Sequence, residues 1–197
     1  MKRLALAFVF LLAAPALVSA DTFERIDFFA PLSPSSEVRA IGPITDREIV
    51  GEGNVAMHLR RDTAGNVVSA VVDFDVQLFT TQAENFTGMH IHQNVAGANG
   101  AIVLSSTPVN FPPGGLLAAS AGEGRIFKQR SLAITNTGEL AAINGVLANP
   151  AGFYLNVHTT SYPGGIFRGQ LQRTVSTKVD LLDSLIRRVA FLLGLRP

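Results

Sequence analysis

The chain of 197 residues contains no cysteine and no tryptophan, and only 16% of its residues are charged. The lack of cysteine excludes disulfide bonds, thiolate zinc sites, iron–sulfur clusters and a cysteine nucleophile. The hydrophobic core must therefore stabilise the fold alone, and a single domain of this length can supply such a core. The sequence also lacks a Gly-x-Ser-x-Gly nucleophile motif, so it predicts no catalytic residue and favours a protein without enzymatic activity.

The N-terminus has the features of a secretory signal peptide over residues 1–20. Lys2 and Arg3 precede an apolar stretch at residues 4–18, and small residues follow up to Ala20. This stretch is short for a membrane span, which takes roughly 20 residues. We therefore expect a secreted or periplasmic protein after cleavage near Ala20. An uncleaved membrane anchor is the alternative.

Charge is nearly balanced once the signal peptide is removed. The 16 Lys and Arg residues fall to 14, against 15 Asp and Glu residues, so the net charge changes from +1 to −1. Nucleic-acid binding needs a positively charged stripe, and the mature sequence does not have one. The sequence therefore predicts no nucleic-acid partner.

Most of the mature chain alternates between apolar and polar residues, as half-buried β-strands do. About eight short strands are expected, separated by turns rich in Gly, Pro, Asn and Asp. This pattern predicts an all-β antiparallel sandwich or barrel over residues 21–176, in which residues 139–149 form a short helix or a loop-covered segment. The expected strands cover residues 21–30, 49–60, 67–79, 86–92, 101–104, 124–135, 152–159 and 166–175.

Residues 177–197 differ from the rest because their apolar residues recur at helical spacing, which predicts a C-terminal amphipathic helix. Such a helix can pack on its own domain, associate with a second copy or lie on a membrane surface, and the sequence leaves these alternatives open. The periodic apolar positions are Val179, Leu182, Ile186, Val189 and Leu193.

The four histidines all take the polar side of their expected strands. His90 and His92 are two residues apart, so they project from one strand face, opposite the apolar residues beside them. His158 and His58 lie opposite the apolar residues of their own strands. Neutral imidazoles are common ligands of copper and zinc, so three or four that converge predict a site for Cu(II) or Zn(II). The alternative is that they are ordinary polar residues bonded to loop carbonyls.

The other candidate residues are less specific. Glu84 and Asp73 are carboxylates that a metal site can use, but no pattern supports either. Asn156 and Arg168 are expected to bind a ligand or to brace a loop. Arg168 lies across a turn from His158 and either pairs with a carboxylate of a partner or holds a loop in place, and we favour the loop.

The sequence contains a set of short segments with a recognisable order: Leu32-Ser33, Glu37-Val38, His90-Ile91-His92, Asn99-Gly100, Val103-Leu104 and residues 154–159, 163–165 and 168–171. Together these segments resemble the CHRD domain, a module repeated in chordin and found singly in many secreted microbial proteins. The resemblance covers about residues 24–173, and the chain looks like a single-domain, secreted bacterial form. Its loops differ from the usual pattern at Arg39-Ala40, at Gln93-Asn94 and before Arg168.

This resemblance implies an all-β, immunoglobulin-like or related sandwich and a non-catalytic binding module for an unspecified protein or small ligand. A looser likeness is to copper–zinc superoxide dismutase, a sandwich whose copper ligands include a His-x-His pair and a later strand histidine. His90, His92 and His158 resemble that arrangement, and His58 is a further candidate. The alternative function is therefore an extracytoplasmic copper- or zinc-binding protein with redox activity.

Overall fold

The computed structural model of the protein describes residues 21–106 and 117–177. This part of the chain is mostly antiparallel β-structure, which confirms the predicted all-β class. Its regular elements are β1 (Thr22–Leu32), β2 (Ile49–Arg61), β3 (Val67–Thr80), β4 (Glu84–Gln93), β5 (Ala101–Ser106), β6 (Leu117–Ala119), β7 (Glu123–Ile134), α1 (Thr137–Ala148), β8 (Phe153–Thr159), β9 (Phe167–Gln170) and β10 (Gln172–Thr177).

The strands form two sheets. The first sheet has the order β10-β1-β2-β3-β7, and the second has the order β5-β4-β8-β9, with β6 paired to the start of β4. All strand pairs are antiparallel, and the long β2–β3 hairpin joins Ile49 to Thr80 in register. The arrangement is the sandwich that strand alternation predicts.

One core lies between the two sheets. Met57 and Phe74 of the first sheet and Ile91 and Leu155 of the second are all fully buried in it. The sheets approach so closely at Gly53 that an added Cβ would overlap the side chain of Leu155. Glycine is needed there because a strand of the first sheet crosses directly over a core side chain of the second.

A β-bulge in β4 decides which way its histidines point. The pairing of β4 with β8 shifts between Phe86 and Gly88. Before the bulge, Phe86 points into the core, whereas after it Met89 and Ile91 do so. The extra residue therefore reverses the alternation and directs the even-numbered positions from Gly88 onward to the outer face of the sheet.

The end of the domain differs from the sequence prediction. Residues 166–175 were expected to form one strand, but the structure has β9 and β10, which belong to different sheets. Leu171 separates them, is buried in the core and donates its backbone N–H to the carbonyl of Phe153. The chain thus changes sheets at this corner.

Residues 139–149 are largely helical, since α1 begins at Thr137 with Asn136 as its N-cap.

The predicted signal peptide at residues 1–20 lies outside the described residues. The predicted C-terminal helix lies outside them as well, apart from Thr177, which ends β10. Within the described ranges, no helix has the length and hydropathy that a membrane crossing requires.

Candidate metal centre

The outer face of the second sheet carries a regular array of polar side chains on three neighbouring strands. The array arises because β8 lies between β4 and β9, and alternate residues of each strand point outward. Across β4 and β8 the register pairs Gly88 with His158, His90 with Asn156 and His92 with Tyr154, and across β8 and β9 it pairs Asn156 with Arg168 and Tyr154 with Gln170.

Three histidines converge within this array. One ring nitrogen of each of His90, His92 and His158 lies within 4.8 Å of the other two. The ring centroids of His90 and His158 are 4.8 Å apart, and that of His92 is 5.7 Å from His158. Two nitrogens bound at roughly 2.0–2.1 Å to one tetrahedral ion are about 3.4 Å apart. A movement of roughly 1 Å by the ring nitrogens therefore brings them to coordination distance.

Loop carbonyls orient two of the rings. His92 Nδ1 is 3.0 Å from the carbonyl oxygen of Gly100, and His158 Nδ1 is 3.0 Å from that of Pro163. Because a carbonyl oxygen only accepts, each Nδ1 carries the hydrogen and each Nε2 keeps its lone pair. These Nε2 atoms, together with Nδ1 of His90, are buried and have no hydrogen-bond partner among the described residues.

Burial keeps all three imidazoles neutral at physiological pH. It lowers the pKa of His90 to about 4, with further contributions from the rings of His158 and His92. It also lowers the pKa of His92 and of His158, although the carbonyl hydrogen bonds to their Nδ1 atoms act in the opposite direction. A neutral imidazole is the form that binds a metal ion.

Tyr154 links the histidines to Arg168. It lies on β8, and its ring stacks on the ring of His92 at a centroid distance of 5.0 Å and an interplanar angle of 11°. The Arg168 guanidinium lies over the same tyrosine ring, 4.3 Å from its centroid. The tyrosine hydroxyl accepts a hydrogen bond from the backbone N–H of Gly100, whose carbonyl holds His92. Tyr154 therefore fixes the position of one imidazole from two directions.

Arg168 braces the loops that cover the array. Its side chain is fully buried, and Nε donates to the carbonyl of Ser36 at 2.7 Å. Nη1 donates to the carbonyl of Ala98 and to Oδ1 of Asn99, both at 3.1 Å. These bonds join the loop after β1 to the loop after β4.

A second polar cluster lies beside the turn that follows β8. Oδ1 of Asn156, Oε1 of Glu37 and Nη2 of Arg168 are buried atoms without a hydrogen-bond partner in the described part of the chain. Burial raises the pKa of Glu37 to about 7, and the positive charges of Arg168 and Arg39 oppose that rise. Gly165, with a φ of 122°, packs against both Asn156 and Glu37.

The structure does not bring His58 to the centre. His58 lies on β2 in the first sheet, where its Nε2 is 3.6 Å from Oδ2 of Asp73 and where it lines a cavity of about 310 Å³. Among the described residues, neither Asp73 nor Glu84 belongs to the histidine group. Glu84 pairs instead with Arg47, whose Nε is 2.5 Å from Oε1. All four histidine side chains thus point to the outer face of their sheets, but His58 lies in a different sheet from the other three.

Sequence reasoning did not single out Tyr154, Glu37 or Gly88 as part of the site. The sequence contained a clue to each of them, because each lies in or beside a segment that carries the CHRD resemblance. Glu37 precedes Val38, Gly88 lies two residues before His90, and Tyr154 begins the segment 154–159.

Comparison with protein families matches residues 28–171 to the CHRD domain. The match covers most of the chain, so the protein belongs to the CHRD domain family. No significant match to the chain was found among curated proteins or among solved structures.

Proposed function

We propose that this protein is an exported, non-catalytic binding module whose CHRD domain holds one copper or zinc ion through His90, His92 and His158. The observation that carries the proposal is twofold. One ring nitrogen of each histidine lies within 4.8 Å of the other two. Each ring also has a buried nitrogen without a hydrogen-bond partner among the described residues. The signal-like sequence at residues 1–20 supports export. The absence of cysteine does not prevent a metal site that is built from histidines.

The energetic argument favours a metal over an ordinary polar cluster. A buried polar atom without a partner costs about 1–3 kcal/mol, and this site gathers three of them. Bonds to one shared cation satisfy all three lone pairs at once. The carbonyls of Gly100 and Pro163 also hold the far side of two rings, as protein groups do around most metal-binding histidines.

The test is calorimetric titration of the full-length chain, made without a histidine tag, with Cu(II) and with Zn(II). We expect one ion per chain for at least one of the two metals. His90→Ala, His92→Ala and His158→Ala should each weaken binding by more than about 100-fold, because outer-shell changes alone cost about 10- to 100-fold. His58→Ala is the matched control, since it removes the one remaining imidazole.

Two results would overturn the proposal. One is substoichiometric uptake of both metals by the wild-type chain. The other is an equal loss of affinity in His58→Ala and in the three site variants. Far-UV circular dichroism of each apo variant establishes that the sheets are intact, so that lost binding is not mistaken for lost folding.

A further inference from the structure

We infer that the C-terminal tail of this chain, residues 178–197, docks as a helix on the outer face of the first sheet, over the cavity that Phe23 and His58 line. The occupant is the tail of the same molecule rather than the tail of a second copy. This inference does not depend on the proposed metal, because the cavity and the three histidines lie in different sheets.

The cavity has about 310 Å³ of space at one end of the first sheet, and its walls are mainly apolar. Ile26, Met57 and Val72 point into the core, so the positions that alternate with them on β1, β2 and β3 point outward. A large aromatic side chain at the cavity, Phe23, is 69% exposed. An exposed aromatic beside an apolar hollow is typical of a surface that an apolar partner covers. The outward residues that line the cavity are Phe23, His58, Arg60, Ser69 and Val71.

The path of the chain brings the tail to this end of the sheet. β10 is the edge strand beside β1, and its last residue, Thr177, pairs with Arg25. Arg25 pairs in turn with His58, and His58 pairs with Val71, so Thr177 lies in the row of residues that crosses the cavity. Two strand spacings separate Thr177 from His58, a distance of about 10 Å. Residue 178 therefore begins beside the cavity.

The length and the pattern of the tail fit this surface. Residues 178–193 span about 24 Å as a helix. The four strands from β10 to β3 span about 14 Å. Val179 and Leu182, the first two apolar positions at helical spacing, follow Thr177 by two and five residues. Both are therefore within reach of Phe23 without an intervening linker.

The charges of the tail and of the sheet are complementary. Residues 178–197 contain one lysine and three arginines against two aspartates, so the tail is basic. Acidic side chains are in the majority among the charged outward positions of β1, β2 and β3, which are Asp27, Glu52, Asp73 and Asp75 against Arg25 and Arg60. Attraction between the two surfaces favours docking over a tail that extends into solvent.

The direct connection favours the tail of the same chain over that of a second copy. Because residue 178 follows the last paired residue of β10, the tail is present at the cavity at an effective concentration on the order of millimolar. A second copy loses translational and rotational freedom when it binds, and the attached tail does not lose this freedom again.

Trypsin cleavage of the full-length, chelator-treated protein measures the docking. Arg187 and Arg188 are cleavage sites within the tail, and cleavage there follows the undocked fraction when undocking is fast. Phe23→Ala should speed cleavage at this pair by about tenfold or more, because an aromatic side chain loses its burial under the tail. Leu182→Asp should have the same effect and leaves every described residue unchanged. Ile102→Ala is the matched control, since it removes an apolar side chain that is 51% exposed on the other sheet.

A second measurement reports the contact itself. The chain has no tryptophan and no cysteine, so Leu182→Trp introduces a single indole and Ser69→Cys a single attachment point for a nitroxide quencher. The nitroxide at position 69 should quench most of the tryptophan fluorescence, whereas the same label on Ile102→Cys should not. Quenching should persist when the labelled chain is mixed with a large excess of unlabelled chain, because tail and cavity belong to one molecule.

Four results would overturn the inference. The first is equal cleavage of the wild type, Phe23→Ala and Leu182→Asp, and the second is equal quenching from the two label positions. Quenching that disappears in the presence of unlabelled chain shows that two copies exchange tails. Protection from trypsin that requires vesicles of phosphatidylglycerol and phosphatidylcholine shows that the tail binds a membrane instead. Circular dichroism of each variant verifies that its sheets are formed before cleavage rates are compared.

Discussion

Replacing Glu37 by glutamine should change how the stability of this domain depends on pH. Glu37 is only 8% exposed, and burial raises the pKa of its carboxyl from 4.5 to about 7. Its Oε1 atom and Oδ1 of Asn156 are both buried without partners in the described structure, and both lie against Gly165. The folded state therefore favours the protonated, neutral carboxyl, which can act as a hydrogen-bond donor.

The direction of the effect follows from the raised pKa. Below pH 4.5 the Glu37 carboxyl is protonated in the folded and the unfolded chain, so its full stabilising contribution is present. As the pH rises towards 7, the unfolded chain releases this proton while the folded chain retains it, and the free energy of unfolding falls. Above about pH 7 the loss is complete. A rise in pKa from 4.5 to about 7 corresponds to a loss of about 3 kcal/mol.

Urea unfolding of the wild type and of Glu37→Gln, in the presence of a chelator and over this pH range, measures the effect. The difference between the two chains isolates Glu37 from His90, His92 and His158. Those histidines have lowered pKa values, so their contribution is present at high pH and is lost as the pH falls. We expect Glu37→Gln to gain about 3 kcal/mol relative to the wild type between pH 4.5 and about pH 8. A difference that stays constant with pH would refute the reasoning.

Two further predictions concern the residues that hold the loops over the histidines, and urea unfolding checks both. Arg168→Ala should destabilise the domain by about 3 kcal/mol or more, because three loop acceptors lose their donor and a large, fully buried side chain leaves a cavity. Gly165→Ala should cost about 2 kcal/mol or more, since its φ is 122° and the new Cβ would overlap Asn156 and Glu37. Gly164→Ala is the control, because a Cβ there meets nothing within 4 Å, and equal losses in the two glycine variants would contradict the assignment.

The β class of the domain and the orientation of its core residues could be predicted from sequence, because strand alternation is a local property of the backbone. Met89, Ile91, Leu155 and Val157 were expected to point inward, and all four are buried. The same alternation directs His90, His92 and His158 outward. The CHRD resemblance could be recognised for a similar reason, since each of its strings is a short contiguous segment.

Other features depend on contacts between distant parts of the chain. Nothing in the alternation shows that residues 166–175 change sheets at Leu171, because a strand that crosses a corner has the same local pattern as one that does not. The sequence marked Glu37 only as part of the Glu37-Val38 segment and gave no sign that it is buried. It lies against Gly165, as Asn156 does, because the loop after β1 folds over the second sheet, and Arg168 holds that loop by its bond to the carbonyl of Ser36.

The sequence by itself determined that the four histidines lie on the polar faces of their strands, because successive side chains of an extended backbone point to opposite sides. Tertiary structure alone decided which of them meet. The placement of β4 beside β8 joins His158 to His90 and His92, whereas β2 carries His58 into the opposite sheet. Which strands become neighbours depends on the long-range pairing that buries the shared core. This pairing cannot be predicted from the pattern of any single strand.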